Sequence, residues 1–341
     1  MSLYGREELE ARLVGKVLIQ DLIDEYGAIV IPKNTLVTQQ IIVKAMQHPI
    51  VLMPEARVPD YSKQLQVAIG QLDLVFEHAR EHNRIRLGEV KRVVVPAINL
   101  LSQHPQIAEL LHLLQLTDDY TVSHSLAVSV LATMIGRWMQ LSNESLQSLM
   151  VAGTLHDIGK MKVPVSILNK PSRLTAQEYE EMKRHTLYGY ELIKSTPEMT
   201  EEQALAALQH HERADGSGYP HGLTLDDTSM FARMIGVVDV FHAMTSKRVY
   251  HEPKPMYEIL KEMNDGMFGQ YDPHVIRIFL SRMMESLIGS RVSLSDGNQG
   301  RIILIPKDAP TSPLIQTVDN RFIDLASNGS IRIVRFLSEG A

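Results

Sequence analysis

The spacing of the hydrophobic positions changes along the chain. In the first 60 residues the apolar runs are short, at 17–19, 28–31 and 50–53, and Pro32-Lys33-Asn34 makes a polar turn between two of them. Short apolar runs bounded by turn residues are typical of strands. The sequence therefore predicts a small α+β module over residues 1–60. Packing or dimerisation is its expected role, and sensing is the alternative.

From residue 61 onward the apolar positions recur every three or four residues, which is the period of a helix with one buried face. In the segment 61–116 this stripe consists of Leu65, Ala68, Leu72, Val75, Phe76 and Ala79. Further helices are predicted at 231–245, 255–267 and 273–288. The stripe in 61–116 is expected to form ordinary core or a dimer seam.

Polar residues mark where several of these helices start. Ser142 is placed to cap one of them. Two pairs, Thr175 with Glu178 and Thr200 with Gln203, have the spacing of a capping box, in which each side chain satisfies a backbone N–H group. The first pair is predicted to open the helix that bears His185. The second is predicted to open the helix that ends at His210-His211.

From residue 290 the pattern alternates between apolar and polar positions, in runs at 292–294, 301–305, 314–318 and 331–336. Asp296-Gly297 lies between the first two runs, and this dipeptide favours a hairpin turn. The sequence predicts a small β-rich module over 290–341 with no visible chemistry. The predicted fold class is mainly α, with a helical connecting region at 61–116 and a helical domain at 117–289.

Composition and charge narrow the function classes. The 341 residues carry a net charge of −6 without a long basic run, which argues against general nucleic-acid binding. There is no cysteine, so a metal site would need nitrogen and oxygen ligands. The first residues lack a signal-peptide pattern, and no apolar run approaches the roughly 20 residues that span a bilayer. We expect a cytoplasmic protein without a membrane span.

Histidine and aspartate side chains gather on the helices of the 117–289 domain. His124 and Asp239 fall on apolar helix faces, although a lone buried histidine is often only a satisfied core residue. The candidate metal ligands are His124, His156, Asp157, His185, His210, His211 and Asp239. Ionisable groups are costly to bury together unless cations offset their charge. Imidazoles with carboxylates suit Fe, Mn, Zn or Co.

Six motifs occur in order around these residues. They are His124, H-D-I-G-K at 156–160, His185, H-H-E at 210–212, D-G-S-G-Y-P at 215–220, and D-V-F with T-S-x-R-x-Y within 239–250. In this order they resemble the HD-GYP family, a branch of the HD superfamily of metal-dependent phosphohydrolases. The resemblance covers about residues 115 to 285.

The resemblance implies that residues 117–289 form an HD-type helical bundle, which would be the catalytic domain. It also implies two divalent transition-metal ions, with Fe or Mn expected first. One ion would be held by His124, His156, Asp157 and Asp239. The other would be held by His185, His210 and His211, with Asp157 bridging the two. The implied reaction is hydrolysis of cyclic di-GMP through a metal-bridging hydroxide, which would give pGpG and then GMP.

Individual residues receive roles from the same resemblance. Asp157 and Lys160 are the expected catalytic residues. The expected substrate contacts are Lys160, Gly216, Gly218, Tyr219 and Arg248. Lys160 lies one helical turn from His156, so its ammonium group is placed to neutralise a phosphate or the charge that develops during hydrolysis. Arg248 is the other expected phosphate contact.

The chain departs from the family at three positions. Tyr120 stands where some members have a Glu that helps to hold a third metal, so two metals are expected. His242 stands where Asp is common and is a candidate for the layer of residues behind the ligands. His251 replaces a basic residue, and this change is expected to weaken substrate binding.

Two other functions remain as alternatives. One is an HD hydrolase that acts on another cyclic dinucleotide or nucleotide, and the other is a non-catalytic binder that signals through protein contacts. Degenerate sensors usually lose ligands, whereas all seven candidate ligands are present here. The implied partner is cyclic di-GMP. A homodimer and a signalling-protein partner are left open.

Overall fold

The computed structural model describes residues 4–50, 53–115, 120–245 and 256–337. The chain divides into two compact units. One comprises Met1–Val67 with Gln103–Pro105, and the other comprises Ala68–Ser102 with Gln106–Ala341. The segments predicted at 1–60, 61–116, 117–289 and 290–341 stay a prediction.

The first unit is built from short elements around an apolar core. Its elements are α1 (Arg6–Leu13), β1 (Val17–Leu18), β2 (Leu22–Ile23), β3 (Ile29–Ile31), α2 (Gln39–Ala45) and β4 (Ala56–Arg57). Strand β1 pairs with β4 and β2 pairs with β3, both antiparallel. The strands predicted at 17–19 and 28–31 are confirmed, whereas β2 and β4 were not predicted. Part of the predicted run at 50–53 lies outside the described residues.

Helix α3 starts in the first unit and continues into the second, which holds the remaining helices. They are α3 (Tyr61–His82), α4 (Leu87–Glu89), α5 (Val95–Leu101), α6 (Ile107–Gln115), α7 (Tyr120–Trp138), α8 (Asn143–Leu155), α9 (Val165–Leu168), α10 (Ala176–Lys183), α11 (His185–Lys194), α12 (Glu201–Gln209), α13 (Met230–Thr245), α14 (Met256–Asp265), α15 (Met267–Gln270) and α16 (Pro273–Glu285). A π-helical stretch, Val90–Val94, joins α4 to α5.

The helix starts follow the side-chain caps that the sequence predicts. Ser142 accepts a hydrogen bond from the backbone N–H of Ser145 at the start of α8. Thr175 and Thr200 each form a complete capping box, with Glu178 and Gln203 respectively. These bonds satisfy donors that a helix leaves without an intrahelical acceptor. The three predicted helix starts are therefore confirmed.

The prediction that Thr175 opens the helix bearing His185 is wrong. That helix, α10, ends at Lys183, and His185 is the first residue of α11. The His185 ring donates from Nδ1 to the carbonyl oxygen of Met182, and the Thr186 hydroxyl donates to that of Lys183. Side chains that bond to nearby carbonyls compete with the helical pattern. This competition accounts for the break at Arg184.

A five-stranded antiparallel sheet follows the helices. Its strands are β5 (Arg291–Leu294), β6 (Gln299–Leu304), β7 (Leu314–Thr317), β8 (Phe322–Asp324) and β9 (Ile333–Leu337), in the spatial order β8-β7-β6-β5-β9. Asp296-Gly297 lies in the hairpin between β5 and β6, and Gly297 has a φ of 87°, as predicted for a turn glycine. Strand β8 was not predicted.

The mainly α fold class is confirmed, since helices make up most of the second unit. The stripe predicted on α3 is buried along its length, from Leu65 to Ala79. Among the described helices, none combines the length and the hydrophobicity that crossing a membrane requires.

Candidate metal centre

Five elements of the helical bundle deliver the candidate ligands to one place. His124 lies on α7, and His156 and Asp157 follow the end of α8. His185 opens α11, His210-His211 follows α12, and Asp239 lies within α13. These helices pack against one another, with α7 on α8 and α13, and α12 on α8, α11 and α13. The centre therefore depends on the packing of the whole bundle.

A close backbone approach brings two of these elements together. Gly159 lies in the 3-10 turn Ile158–Lys162, immediately after Asp157. A Cβ atom at this position would collide with the carbonyl oxygen of His185 and the backbone nitrogen of Gly189. Only glycine fits here without moving α11. The glycine of the H-D-I-G-K motif thus permits the close approach of the turn after Asp157 to the start of α11.

Two groups of possible ligand atoms share one residue, Asp157. The first group contains Asp157, His185, His210 and His211, and the second contains His124, His156 and Asp157. The ligand atoms within each group all lie within 4.8 Å of one another. Except for His211, which is partly buried, all of these residues are buried.

The two carboxylate oxygens of Asp157 face different groups. Its Oδ1 lies 3.3 Å from Nε2 of His185 and 3.8 Å from Nε2 of His210. Its Oδ2 lies 3.3 Å from Nε2 of His156 and 3.9 Å from Nε2 of His124. This arrangement lets one carboxylate contribute an oxygen to each group.

Asp239 also spans the two groups. Its Oδ1 lies 2.9 Å from Nε2 of His124, and its Oδ2 lies 3.8 Å from Nδ1 of His211. The sequence prediction assigned Asp239 to the same ion as His124, and the structure brings it next to both His124 and His211. The structure therefore gathers all seven predicted side chains into one continuous cluster.

Three of the imidazole rings are held by the same kind of hydrogen bond. Nδ1 of His156 lies 2.8 Å from the carbonyl oxygen of Gly153, Nδ1 of His185 lies 2.7 Å from that of Met182, and Nδ1 of His210 lies 2.9 Å from that of Ala207. Because a carbonyl oxygen only accepts, each Nδ1 carries the proton. Each Nε2 then presents its lone pair towards Asp157, which is the orientation that a metal ligand needs.

His124 has a different neighbour. Its Nδ1 lies 2.9 Å from Nδ1 of His242, a buried residue of α13. Burial, followed by the charge of His124, lowers the pKa of His242 to about 3, so this ring is neutral near pH 7. The sequence marked His242 as a candidate for the layer behind the ligands. The structure places it in contact with His124.

Burial and charge shape the ionisation of the centre. Burial lowers the pKa of His185 to about 4 and that of His211 to about 3, so both rings are neutral near pH 7. Burial is also the largest influence on Asp157 and raises its pKa. The nearby positive charge of Lys160, followed by the charge and hydrogen bond of His156 and the charge of His185, acts in the opposite direction, and the pKa of Asp157 lies well below its usual range. The neutral imidazoles of His185 and His211 beside the ionised carboxylate of Asp157 are donors suited to divalent cations.

One buried polar atom of His156 and one of Asp157 lack a hydrogen bond from the protein. Within the described part of the chain, Nε2 of His156 and Oδ1 of Asp157 are buried with no hydrogen-bond partner. Leaving such atoms unsatisfied costs free energy of about 1–3 kcal/mol each. Both atoms face the interior of the cluster, so a bound cation would satisfy both. The residues present therefore fit a metal centre.

Two of the predicted substrate contacts, Lys160 and Tyr219, lie beside this cluster. The ammonium group of Lys160 forms an ion pair with Oδ2 of Asp157, so it adjoins the candidate ligands rather than open solvent. The ring of Tyr219 stacks on His211 with centroids 4.6 Å apart. Gly216 and Gly218 lie in the loop before Tyr219. Arg248 lies outside the described residues, as does His251, and Tyr120 begins α7 with a side chain that is not described.

The Gly218 position has a structural explanation of its own. A Cβ atom there would collide with backbone atoms of Glu212 and Arg213. The loop therefore packs closely against the segment that follows His211. The Glu212 carboxylate accepts hydrogen bonds from the backbone N–H groups of His221 at 2.8 Å and Leu223 at 3.0 Å. The H-H-E motif contains Glu212, but its spacing does not predict these loop-closing contacts.

Lys183 is a second neighbour that the sequence reasoning missed. Its ammonium nitrogen lies 5.7 Å from the centre of the Tyr219 ring and 5.4 Å from that of Tyr179, within cation–π range of both. It also forms a 2.8 Å ion pair with Glu180. Its position two residues before His185 was the only available signal, and that signal does not indicate which ring it contacts.

Comparison with known proteins places this bundle in a family. A family model described as HD domain matches residues 98–275, more than half of the chain. A cyclic di-GMP phosphodiesterase of Pseudomonas aeruginosa is 34% identical over 229 residues, which cover 67% of this chain and 55% of the relative. One of Thermotoga maritima is 37% identical over 177 residues, which cover 50% of this chain and 48% of the relative.

A third relative carries a different substrate in its name. A 3′3′-cGAMP-specific phosphodiesterase of Vibrio cholerae is 33% identical over 177 residues, which cover 52% of this chain and 34% of the relative. The chain thus spans about half the length, or less, of these curated relatives. The chain belongs to the HD domain family, and its ordered motifs together with these relatives assign it to the HD-GYP branch.

Proposed function

We propose that the protein is a metal-dependent phosphodiesterase that hydrolyses cyclic di-GMP. The observation that carries this proposal is the position of Asp157, whose two oxygens face separate groups of histidines. Paired metal sites of this kind suit the displacement of an alkoxide from a phosphodiester. Relatives named for cyclic di-GMP hydrolysis support the choice of substrate.

The proposed cofactor is a pair of divalent transition-metal ions, with Fe or Mn as the first choice. The proposed ligands of one ion are His124, His156, Asp157 and Asp239. The proposed ligands of the other are His185, His210, His211 and the shared Asp157. When bound, such ions lower the pKa of water and offset the charge of a phosphodiester.

The residues of the chain have separate tasks in this proposal. Asp157 and the three carbonyl-bonded histidines keep their lone pairs directed inward. Lys160 adjoins Asp157, and we assign its ammonium group to a phosphate oxygen of the substrate. We assign Tyr219, with the loop that contains Gly216 and Gly218, to the nucleotide beside that phosphate. Arg248 keeps its predicted role as a second phosphate contact.

The proposed first product is the linear dinucleotide pGpG, with GMP following if the second phosphodiester is also cut. Another cyclic dinucleotide is the alternative substrate, and the 3′3′-cGAMP-specific relative is the observation that favours it. A binder without catalysis is the alternative of a different class, and the presence of all seven candidate ligands counts against it. A cytoplasmic location and a homodimer stay predictions.

The test of this proposal is turnover of a panel of cyclic dinucleotides by purified protein. Metal-free protein is loaded with Mn(II) or, under reducing conditions, with Fe(II), and the products are separated by chromatography. We expect conversion of cyclic di-GMP to the linear dinucleotide only after loading. Preferred turnover of cyclic GMP-AMP would transfer the assignment to the alternative substrate. Tight binding of cyclic di-GMP without any product would favour the non-catalytic binder.

A further inference from the structure

The contact between His124 and His242 points to a role for His242 that the motifs do not assign. Both residues are buried, and they come from helices α7 and α13. Their Nδ1 atoms lie 2.9 Å apart, within hydrogen-bond distance. The other nitrogen of His124, Nε2, lies 2.9 Å from Oδ1 of Asp239. The His124 ring therefore separates His242 from the carboxylates.

A contact this short between two ring nitrogens needs one proton between them. Two N–H groups would repel each other, and two lone pairs would make no bond. The protonated nitrogen of the pair fixes the tautomer of both rings. The tautomer of His124 then decides whether its Nε2 offers a lone pair or an N–H group to the centre.

Two neutral arrangements satisfy this contact. In the first, Nε2 of His124 donates to Asp239, and Nδ1 of His242 donates to Nδ1 of His124. In the second, Nδ1 of His124 donates a hydrogen bond to Nδ1 of His242. Nε2 of His124 is then unprotonated, and its lone pair can bind a metal. Each ring carries one proton in both arrangements, on Nδ1 or on Nε2, so the count of protons on the pair does not change.

We propose that His242 is the positioning residue for His124, and that its Nδ1 acts as the acceptor that holds His124 in the metal-binding tautomer. This inference rests on the metal centre proposed above and deepens it. For His156, His185 and His210, a backbone carbonyl oxygen accepts the hydrogen bond from Nδ1. For His124, the acceptor would be the side chain of His242. Removal of a partner that orients a ligand typically lowers metal affinity by about 10- to 100-fold.

The consequence is specific to one of the two groups. His124 belongs to the group with His156 and Asp157, whereas Asp157 with His185, His210 and His211 forms the other group. Loss of the acceptor behind His124 should weaken one ion and spare the other. A general loss of packing would weaken both ions and the fold together.

The experiment compares variants of the full chain that keep or move the acceptor. In His242→Asn the amide oxygen can occupy the place of Nδ1, whereas in His242→Gln the amide group reaches towards the place of Nε2. His242→Leu removes the acceptor altogether. Phe241→Leu is the packing control, since Phe241 lies next in sequence and packs on Phe279 with ring centroids 5.0 Å apart.

Metal-free proteins are titrated with Co(II) against a chromophoric chelator, and the Co(II) absorption spectrum is recorded. We expect His242→Leu and His242→Gln to bind one of two ions about 10- to 100-fold more weakly, with the second ion unchanged. His242→Asn should stay within a few-fold of wild type, and Phe241→Leu should keep both affinities. Chemical denaturation of each metal-free variant separates lost folding from lost binding.

Several results would overturn the inference. Wild-type affinity for both ions in His242→Leu would show that the acceptor is not needed. Equal losses in His242→Asn and His242→Gln would show that the position of the acceptor does not matter. An equal loss in Phe241→Leu would assign the effect to packing. A wild-type protein that takes up no Co(II) would remove the metal centre itself, which is a failure of the proposed function and is recognised before any variant is compared.

Discussion

The two groups of the centre are assembled in different ways. In the group of Asp157, His185, His210 and His211, the rings of His185 and His210 are each fixed by a carbonyl three residues earlier in the chain. In the other group Gly153 fixes His156 in the same way, but His124 faces His242, which is 118 residues away.

The orientation of a ligand ring is thus fixed by local backbone contacts in one case and by tertiary packing in the other. A carbonyl three residues away is in place once that stretch of chain has folded, so its hydrogen bond needs no distant partner. The contact between His124 and His242 exists only after α7 and α13 have packed. The group that contains His124 should therefore respond more strongly to substitutions elsewhere in the bundle. Asp157 belongs to both groups, so its substitution should affect both of them.

The largest effect is expected at Asp157. Asp157→Ala removes the carboxylate that faces both groups and should reduce kcat by at least about a thousandfold, as for other residues that act as part of a unit. Metal content of the purified protein should fall as well, while circular dichroism stays that of a helical protein. Asp157→Asn is the matched control that keeps the shape and removes the charge. Wild-type turnover by either variant would contradict the bridging role.

The next effect is a loss of stability of the metal-free protein in mild acid. The pKa of His185 falls from 6.5 to about 4 in the folded chain, so between these values the unfolded chain binds more protons than the folded one. Stability is therefore retained above pH 6.5 and declines as the pH falls towards 4. The decline from this residue is on the order of 3 kcal/mol, at 1.36 kcal/mol for each pH unit.

Urea unfolding of chelator-treated protein at pH 7.5 and at pH 5 measures the larger part of this decline, about 2 kcal/mol. His211 shifts in the same direction, whereas the net rise in the pKa of His156, which its neighbouring carboxylates cause against the effect of burial, opposes it. His185→Gln should flatten the pH dependence because it removes a titrating ring. Equal stability of the metal-free wild type at both pH values would contradict the burial of neutral histidines in one group.

A smaller effect on activity is expected at Lys160. Lys160→Ala should leave the metal content unchanged and reduce kcat/KM by about ten- to a hundredfold, since a hydrogen bond to a charged group contributes roughly 1.5–3 kcal/mol. Lys160→Arg is the control that keeps the charge. Loss of metal from Lys160→Ala would show that its ion pair with Asp157 supports the ligand rather than the substrate. Arg248→Ala is predicted to follow the same pattern, with the loss mainly in KM.

The smallest effect is expected away from the centre. Thr175 accepts from the backbone N–H of Glu178, and its replacement by Ala should lower the free energy of unfolding by about 1 kcal/mol. Thr175→Ser should retain most of this energy, and both variants should bind metal as wild type does. A change of metal affinity in Thr175→Ala would mean that the start of α10 is coupled to His185, on the far side of the helix break.

The sequence predicted local features and assigned several of them correctly. The caps at Ser142, Thr175 and Thr200 depend on residues three positions apart, and all three are present. The break before His185 was missed because it arises from side chains that compete for carbonyls, which a capping box upstream does not reveal. Strand β8 was missed because its three residues carry no alternating pattern of useful length.

The sequence could predict which residues form the candidate site, but not how their side chains are arranged. Ordered motifs indicated which side chains gather, yet no spacing in the sequence shows that the two oxygens of Asp157 face different histidines. The same holds for Asp239 between His124 and His211, and for His242 behind His124. These contacts depend on the packing of helices that are far apart in the sequence, and no short sequence segment predicts that packing.

The most direct test of the shared carboxylate is a metal titration that follows activity. Metal-free protein receives Mn(II) in small steps under an excess of cyclic di-GMP, and formation of the linear dinucleotide is measured at each step. We expect little activity at first and a maximum at about two equivalents per chain, as for a two-metal site. Full activity at one equivalent, or activity that does not depend on metal, would contradict it.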